Sequence, residues 1–268
     1  MLLREVEYAR PASVQEALRL LGSNEGARAL AGGQTLINVM KARAASPDVL
    51  VDLADIGELR GIELGSDGTL TIGAMTTYTD IVDSAEARAR PILAEVCNQI
   101  ADVQVRNRGT VGGNVCSNDP TNHLPPLLVA VGATMTILGQ DGERSLPARE
   151  FFLGVYMTAA GPGELLTKIS VPPGKGDGFA SVPIGRDGTC IVNVAASLGG
   201  GAPTLAIGCV DAVPVVLTPD SAAEDTVRTA VRGANLDPPS DVHATADYRR
   251  HLAEVLALRA VAQAAGRK

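Results

Sequence analysis

Tryptophan is absent from this chain, and only three phenylalanines and four tyrosines stand among its 268 residues. Core packing therefore has to rest on Ala, Val, Leu and Ile, within a hydrophobic content of 46% that is ample for a buried interior. The four cysteines, Cys97, Cys116, Cys190 and Cys209, include no C-x-x-C pair, so neither a zinc site nor an iron–sulfur cluster is signalled within the chain. A basic excess is missing too. The net charge of −7 argues against binding to nucleic acid or an anionic membrane through a bulk basic surface. No apolar run approaches the roughly 20 residues that span a bilayer. The opening MLLREVEYARP carries charges within its first seven residues and has no apolar stretch of signal-peptide type, so a cytoplasmic location is expected.

What the chain does have is glycine in two pairs. The stretch Arg106–Pro126 reads RNRGTVGGNVCSNDPTNHLPP, and Leu30–Ile37 reads LAGGQTLI. A glycine pair lets the backbone turn and approach a ligand without a Cβ clash, although most such pairs are simply turns. Successive exposed N–H groups can form a nest for an anion such as a diphosphate. Each pair also has hydroxyl or amide neighbours: Gln34 and Thr35 in the first, Thr110 and Asn114 in the second. Two such loops beside helices point to one ligand with two phosphates, gripped from both sides. Neither loop contains lysine, so backbone dipoles would meet the charge. Arg106 and Arg108 flank the second loop, where they would steer phosphate or simply face solvent.

In chain order, Val6–Tyr8 reads as a strand. A capping box at Ser13 and Glu16 opens a helix over Val14–Leu21, stopped by Gly22. Ala27–Leu30, a helix over Thr35–Arg43 and Val49–Leu53 complete a β-α-β-α-β run, the pattern of a small parallel sheet. A hairpin with an Asp67-Gly68 turn follows, between 62–64 and 69–72. Helices are expected over Thr77–Asp83, Arg90–Ala101, Leu127–Val131 and Glu150–Leu153, and strands over Thr134–Leu138 and Leu165–Val171. Pro172–Gly178 reads as a linker. Beyond it, Phe179–Ile184, Cys190–Leu198 and Thr204–Cys209 read as three antiparallel strands, with a hairpin loop at Gly199–Gly201. Helices over Ser221–Ala234, opened by a second capping box, and Tyr248–Ala265 close the chain.

AGGQTLI at Ala31–Ile37, RGTVGGNVCSNDP at Arg108–Pro120 and REFFLG…GELLTKISVP at Arg149–Pro172 resemble the FAD-binding medium subunits of molybdenum hydroxylases, the carbon monoxide dehydrogenase and xanthine dehydrogenase type. The resemblance covers essentially the whole chain. It implies an α+β architecture: a FAD-binding fold of the vanillyl-alcohol-oxidase (PCMH) type over 1–172, in subdomains of about 1–55 and 56–172. A C-terminal α+β domain over 173–268, with a three-stranded antiparallel sheet and helices, would follow. Leu30, Ala31, Gly32, Gly33, Gln34, Thr35, Leu36 and Ile37 would hold FAD from one side, and Thr110, Val111, Gly112, Gly113 and Asn114 from the other. Ile100 would lie near the cofactor and Leu166 near the isoalloxazine. His123 stands where some members carry a cofactor-contacting Asp, with Asp119 as a polar alternative.

The same resemblance implies an oxidoreductase. Molybdenum-pterin on a large subunit and [2Fe-2S] clusters on a small subunit would deliver electrons to FAD here, and NAD, quinone or oxygen would take them. A dimer of heterotrimers is the implied assembly. No catalytic acid–base pair and no metal ligands are expected in this chain. Two other readings stay open: a self-contained FAD-dependent reductase or oxidase of the same fold, and a flavin-free scaffold. The first needs a proton donor or base near the flavin, and of His123, His243 and His251 only His123 lies in a motif. A lone His in a Pro-rich loop is commonly a hydrogen-bonded structural residue, and Asp119 before Pro120 commonly a turn former. Cys97, Cys190 and Cys209 read as buried, and Cys116 as a residue that would line the cofactor site.

Overall fold

A computed structural model describes residues 3–185, 188–199 and 201–266. The first layer alternates as expected: β1 (Glu7–Ala9), α1 (Val14–Ser23), β2 (Ala27–Leu30), α2 (Leu36–Lys41) and β3 (Val49–Asp52). β3 lies between β1 and β2 and pairs in parallel with both. Ser13 caps α1 by accepting from the Glu16 amide, while the Glu16 carboxylate reaches the amide of Ala12 rather than that of Ser13. Gly22 does not end α1, which runs on to Ser23. The glycine serves packing instead, since a Cβ there would meet the Gln140 side-chain amide at 2.7 Å.

The second layer holds β4 (Ile62–Leu64), β5 (Leu70–Gly73), α3 (Tyr78–Asp83), α4 (Ile92–Gln99), α5 (Val103–Arg106), α6 (Val111–Ser117) and α7 (Leu124–Ala130). It continues through β6 (Thr134–Gly139), β7 (Gly142–Pro147), α8 (Ala148–Phe151), β8 (Phe152–Gly154), β9 (Met157–Thr158) and β10 (Leu165–Val171). The larger sheet is ordered β4-β5-β10-β6-β7 and is antiparallel throughout. Three expectations need correction here. The supposed loop around Gly112 and Gly113 is the first turn of α6. The helix expected from Leu127 begins at Leu124, because Pro125 and Pro126 fall in its first turn, where a missing N–H costs nothing. The helix expected over Glu150–Leu153 ends at Phe151, and Phe152 starts a strand. The unforeseen β7 is a solvent-exposed edge strand, so it shows no apolar alternation.

In the third layer β11 (Asp177–Pro183), β12 (Cys190–Ser197), β13 (Thr204–Gly208) and β14 (Val215–Leu217) form an antiparallel sheet. The sheet has four strands, not the three expected; β14 escapes the pattern because it is short and only half-buried. The turn expected at Gly199–Gly201 includes residue 200, which lies outside the described residues. α9 (Glu224–Gly233) and α10 (Ala246–Ala265) cover one face. α9 starts at Glu224, capped by Ala223, rather than at Ser221: the Ser221 hydroxyl donates to Thr226 and accepts from the Ala223 amide, so the expected capping box does not form.

Alternation along the strands gives this sheet two covered faces. Val192, Val194, Ala196, Leu205 and Ile207 pack with α9 and α10. Phe179, Ala195 and Ala206 join the core of the second layer, where every residue of α7 is buried. The segment read as a linker, Pro172–Gly178, ends inside β11. A Cβ at Gly178 would fall well inside contact distance of the Ala260 carbonyl on α10. Among the described residues no helix is long and apolar enough to cross a membrane.

Candidate cofactor site

The two glycine motifs meet. Gly32 lies so close to the backbone of Arg108 and Gly109 that any Cβ there would overlap the Arg108 carbonyl. A Cβ at Gly113 would stand 3.3 Å from that of Ala31 and 2.8 Å from Thr110 Oγ1. Gly112 is pressed onto Ala74, just beyond β5. Gly32 and Gly112 are therefore required by close approach to neighbouring backbone, and Gly113 by close approach to side chains. Gly33, with φ of 74°, supplies the left-handed turn that sends the chain from β2 into α2.

The backbone donors of the two motifs differ. In the second, the Val111 amide donates to Thr76 O at 3.0 Å and the Gly112 amide to Ala74 O at 2.9 Å. The Gly113 amide donates to Thr110 Oγ1 at 3.1 Å, the cap of α6. Its amides are committed to the fold, so the expected grip on a diphosphate by this backbone is corrected. In the first motif, no acceptor among the described residues takes the amides of Gly32, Gly33, Gln34, Thr35 or Leu36. The run is half-buried apart from exposed Thr35. Consecutive unpaired N–H groups on a turn of this kind form an anion-receiving concavity. Gln34 holds the turn by donating to the Gly32 carbonyl at 3.0 Å.

Asn114 adds a side-chain group. Its Oδ1 is buried and has no hydrogen-bond partner, and its side chain lies near enough to the Tyr78 hydroxyl to influence it. Tyr78 is held high in pKa, chiefly by burial, with Asn114 acting against the shift. Asn114 thus leaves a buried carbonyl oxygen as an acceptor. Such an oxygen suits a hydroxyl or N–H rather than a phosphate, contrary to the donor role expected for it.

The other residues singled out fall elsewhere. Ile100 is buried in the core of the second layer, and its carbonyl accepts from Arg106. Its neighbour Ala101, with His123, lines a cavity of about 340 Å³, together with Gln99, Asp102, Arg106, Pro183, Gly185 and Gly188. Arg106 is tied to the Ile100 and Ala101 carbonyls at 3.1 and 2.8 Å, while the Arg108 side chain is exposed.

His123 is 2% exposed, with its ring 5.7 Å from that of Phe179 and Nε2 3.3 Å from Cys190 Sγ. Burial pushes its pKa down to about 4, against a hydrogen bond to the backbone of Gly188. It is neutral at physiological pH and unsuited to act as a general base there. Asp119 is a turn residue: Oδ1 accepts from the Thr121 amide and hydroxyl, and Oδ2 from the Tyr156 hydroxyl. Leu166 is buried in the second-layer core beside a bulge at Thr167, whose carbonyl accepts from Ala74.

Cys97, Cys190 and Cys209 are buried and Cys116 is exposed. Burial pushes the Cys97 thiol up to about 12 and Cys190 up to about 11, which leaves neither as a nucleophile. Among the described residues no group of His, Cys, Asp or Glu is arranged to hold a metal ion.

The features that sequence reasoning missed are the Thr76 and Ala74 carbonyls, which consume the second motif's amides, and the Tyr78–Asn114 pair. Neither has a signal in the primary structure, because each depends on β5 passing beneath α6.

Comparison with known proteins shows what the chain as a whole is similar to. The sequence profile of the family described as the FAD binding domain in molybdopterin dehydrogenase matches residues 4–174. The carbon monoxide dehydrogenase medium chain of Afipia carboxidovorans is 39% identical over 100% of this chain and 99% of its own. The glyceraldehyde dehydrogenase medium chain of Sulfolobus acidocaldarius is 32% identical over 97% of this chain and 99% of its own. In the solved structure of reconstituted CO dehydrogenase from Oligotropha carboxidovorans, one chain superimposes with a TM-score of 0.92 at 35% identity, over 100% of both chains.

Proposed function

The chain belongs to the family of FAD-binding domains of molybdopterin dehydrogenases, and from that premise we propose that it is the medium, FAD-holding subunit of a molybdenum-hydroxylase complex. The observation that carries this reading is the crossing of the two glycine motifs. It leaves the amides of residues 32–36 without acceptors and the Asn114 oxygen without a donor. A dinucleotide has a diphosphate for the first and hydroxyl or N–H groups for the second. The residues present therefore fit FAD.

Gly32, Gly33, Gln34, Thr35 and Leu36 hold the diphosphate through backbone N–H groups. Leu30, Ala31 and Ile37 cover it from the β2–α2 side. Thr110, Val111, Gly112 and Gly113 fix the position of that loop from beneath, and Asn114 receives a hydroxyl or N–H of the cofactor. His123 closes the cavity beyond α4 with a neutral hydrogen-bonding ring, and Ile100 packs in the core behind it. Leu166 and Asp119 act at one remove, Leu166 by packing under the site and Asp119 by holding the turn after α6.

When bound, FAD supplies the redox chemistry, so the protein's task is to bind, orient and shield it. We further propose partner subunits holding molybdenum-pterin and [2Fe-2S] clusters, paired as a dimer of heterotrimers, in a cytoplasmic complex with NAD, a quinone or oxygen as external acceptor. The division into residues 1–172, with subdomains about 1–55 and 56–172, and 173–268 belongs to the same reading.

The test is an absorption spectrum of the chain purified alone and with co-expressed neighbours, followed by NADH. Flavin bands bleached by NADH support the reading with a nicotinamide acceptor; bands that persist point to quinone or oxygen. A chain colourless in both settings, even with added FAD, overturns it.

A further inference from the structure

α4 and β11 lie against one another and have two ends in common. At one end is Arg90, two residues before α4, which is only 3% exposed. Its Nε donates to Asp177 Oδ2 at 2.7 Å and its Nη2 to Oδ1 at 2.9 Å, at the start of β11. The same guanidinium donates to the carbonyls of Pro172 and Val131 and to Ser197 Oγ. It also fills the space that a Cβ at Gly174 would need. At the other end is the cavity between Gln99, which ends α4, with Ala101 and Asp102 after it, and Pro183, which ends β11, with Gly185 and Gly188 beyond. Between the two ends, Phe179 of β11 stacks on His123, which lines that cavity.

We infer that Arg90 is a positioning residue for the cofactor: its bidentate pair with Asp177 pins β11 to α4 and thereby sets the opening of the cavity at their far ends. A planar fork on a carboxylate fixes orientation as well as distance, which a single contact does not. The strand from Asp177 to Pro183 is about 20 Å long at ~3.3 Å per residue. A rotation of about 5° at the pin therefore moves Pro183 by roughly 2 Å, enough to loosen one end of a bound dinucleotide. The inference rests on the FAD reading above.

The experiment uses the full chain as wild type, Arg90→Ala and Val227→Ala, the last removing apolar volume from the opposite face of the same sheet. FAD release and hydrogen exchange over 99–106 and 179–185 are measured with and without millimolar methylguanidinium. The inference expects Arg90→Ala to release FAD about tenfold faster, a shift of ~1.4 kcal/mol, and to raise exchange at 99–106. It expects methylguanidinium to reverse both and Val227→Ala to show neither. Added exchange confined to 172–177, an equal effect of Val227→Ala, or no rescue would overturn it. If Arg90→Ala does not fold, Asp177→Asn takes its place with the same expected exchange at 99–106. If wild type takes up no flavin, the cofactor reading fails, and the exchange data alone decide the pin.

Discussion

Ala31 and Gly113 touch: a side-chain methyl at Gly113 would stand 3.3 Å from the Cβ of Ala31. The contact brings the turn after β2 onto the first turn of α6, and the same closeness places Gly32 on the Arg108 carbonyl. Gly32→Ala must push one backbone off the other, because no flexible side chain is there to give way. Flavin content of the purified variant should fall at least about tenfold, and stability by ~1–3 kcal/mol. Absorption at the flavin bands and a urea melt check both. A variant with full flavin content would show that the crossing is not the seat of the cofactor.

Asn114 is the one side chain at the crossing with a buried atom left unpaired. Asn114→Asp keeps an acceptor but loses the side-chain amide, and it brings a negative charge near the proposed diphosphate seat. FAD affinity should drop by about 10- to 100-fold at pH 8, as expected for placing a like charge beside the phosphate seat. The loss should shrink as the pH is lowered toward the carboxylate's own titration. Fluorescence titration with FAD at two pH values measures this, and an unchanged affinity at pH 8 would remove Asn114 from the site.

His123 should make the fold acid-sensitive. Its folded pKa, about 4, lies below the value of about 6.5 for an unperturbed histidine. Between these two values the unfolded chain binds a proton that the folded chain refuses. Stability is therefore undiminished above about pH 6.5 and falls as the pH drops toward 4, by up to ~3 kcal/mol. Urea melts from pH 7 to pH 4 should show a steeper loss in wild type than in His123→Gln. Parallel curves would mean that the imidazole is not held neutral.

Gly178→Ala should strain the C-terminal sheet without touching the glycine crossing. The new methyl would overlap the Ala260 carbonyl of α10, and relief requires α10 or β11 to shift. A loss of ~1–3 kcal/mol is expected, with the flavin spectrum of the folded fraction unchanged. Equal stability of the two proteins would show that β11 and α10 pack less tightly than their backbone contact implies.

The parallel β-α-β-α-β run was readable from the sequence because each element carries its own signal: apolar strands, a Ser cap, a glycine pair before α2. β7 and β14 were not readable, since one is polar and exposed and the other is short and half-buried. Ser221 misled because a four-residue capping pattern leaves open which residue takes the extended backbone of the cap; here it is Ala223.

At the candidate site, the two motifs were legible, since tight packing demands glycine in both: Gly32 against the Arg108 backbone, and Gly112 and Gly113 against Ala74 and Ala31. Which motif offers free donors was not. That depends on Thr76 and Ala74, residues outside both motifs, which arrive beneath α6 only when the chain is folded. The burial of His123 depends likewise on Phe179 and Cys190, which come from the third layer.

β10 is the last strand of the middle sheet to be made and the one at its centre, flanked by β5 and β6. Its Thr167 carbonyl also receives the amide of Ala74, the residue on which Gly112 rests. During synthesis, residues 30–37 and 110–114 leave the ribosome long before anything can hold them together. Loop closure over such a separation is slow and comes late. A chain stalled or cut before residue 171 would carry both glycine motifs and still have no finished seat for a cofactor. On the proposed reading, flavin capture by truncated chains therefore reports whether the central strand has gone in.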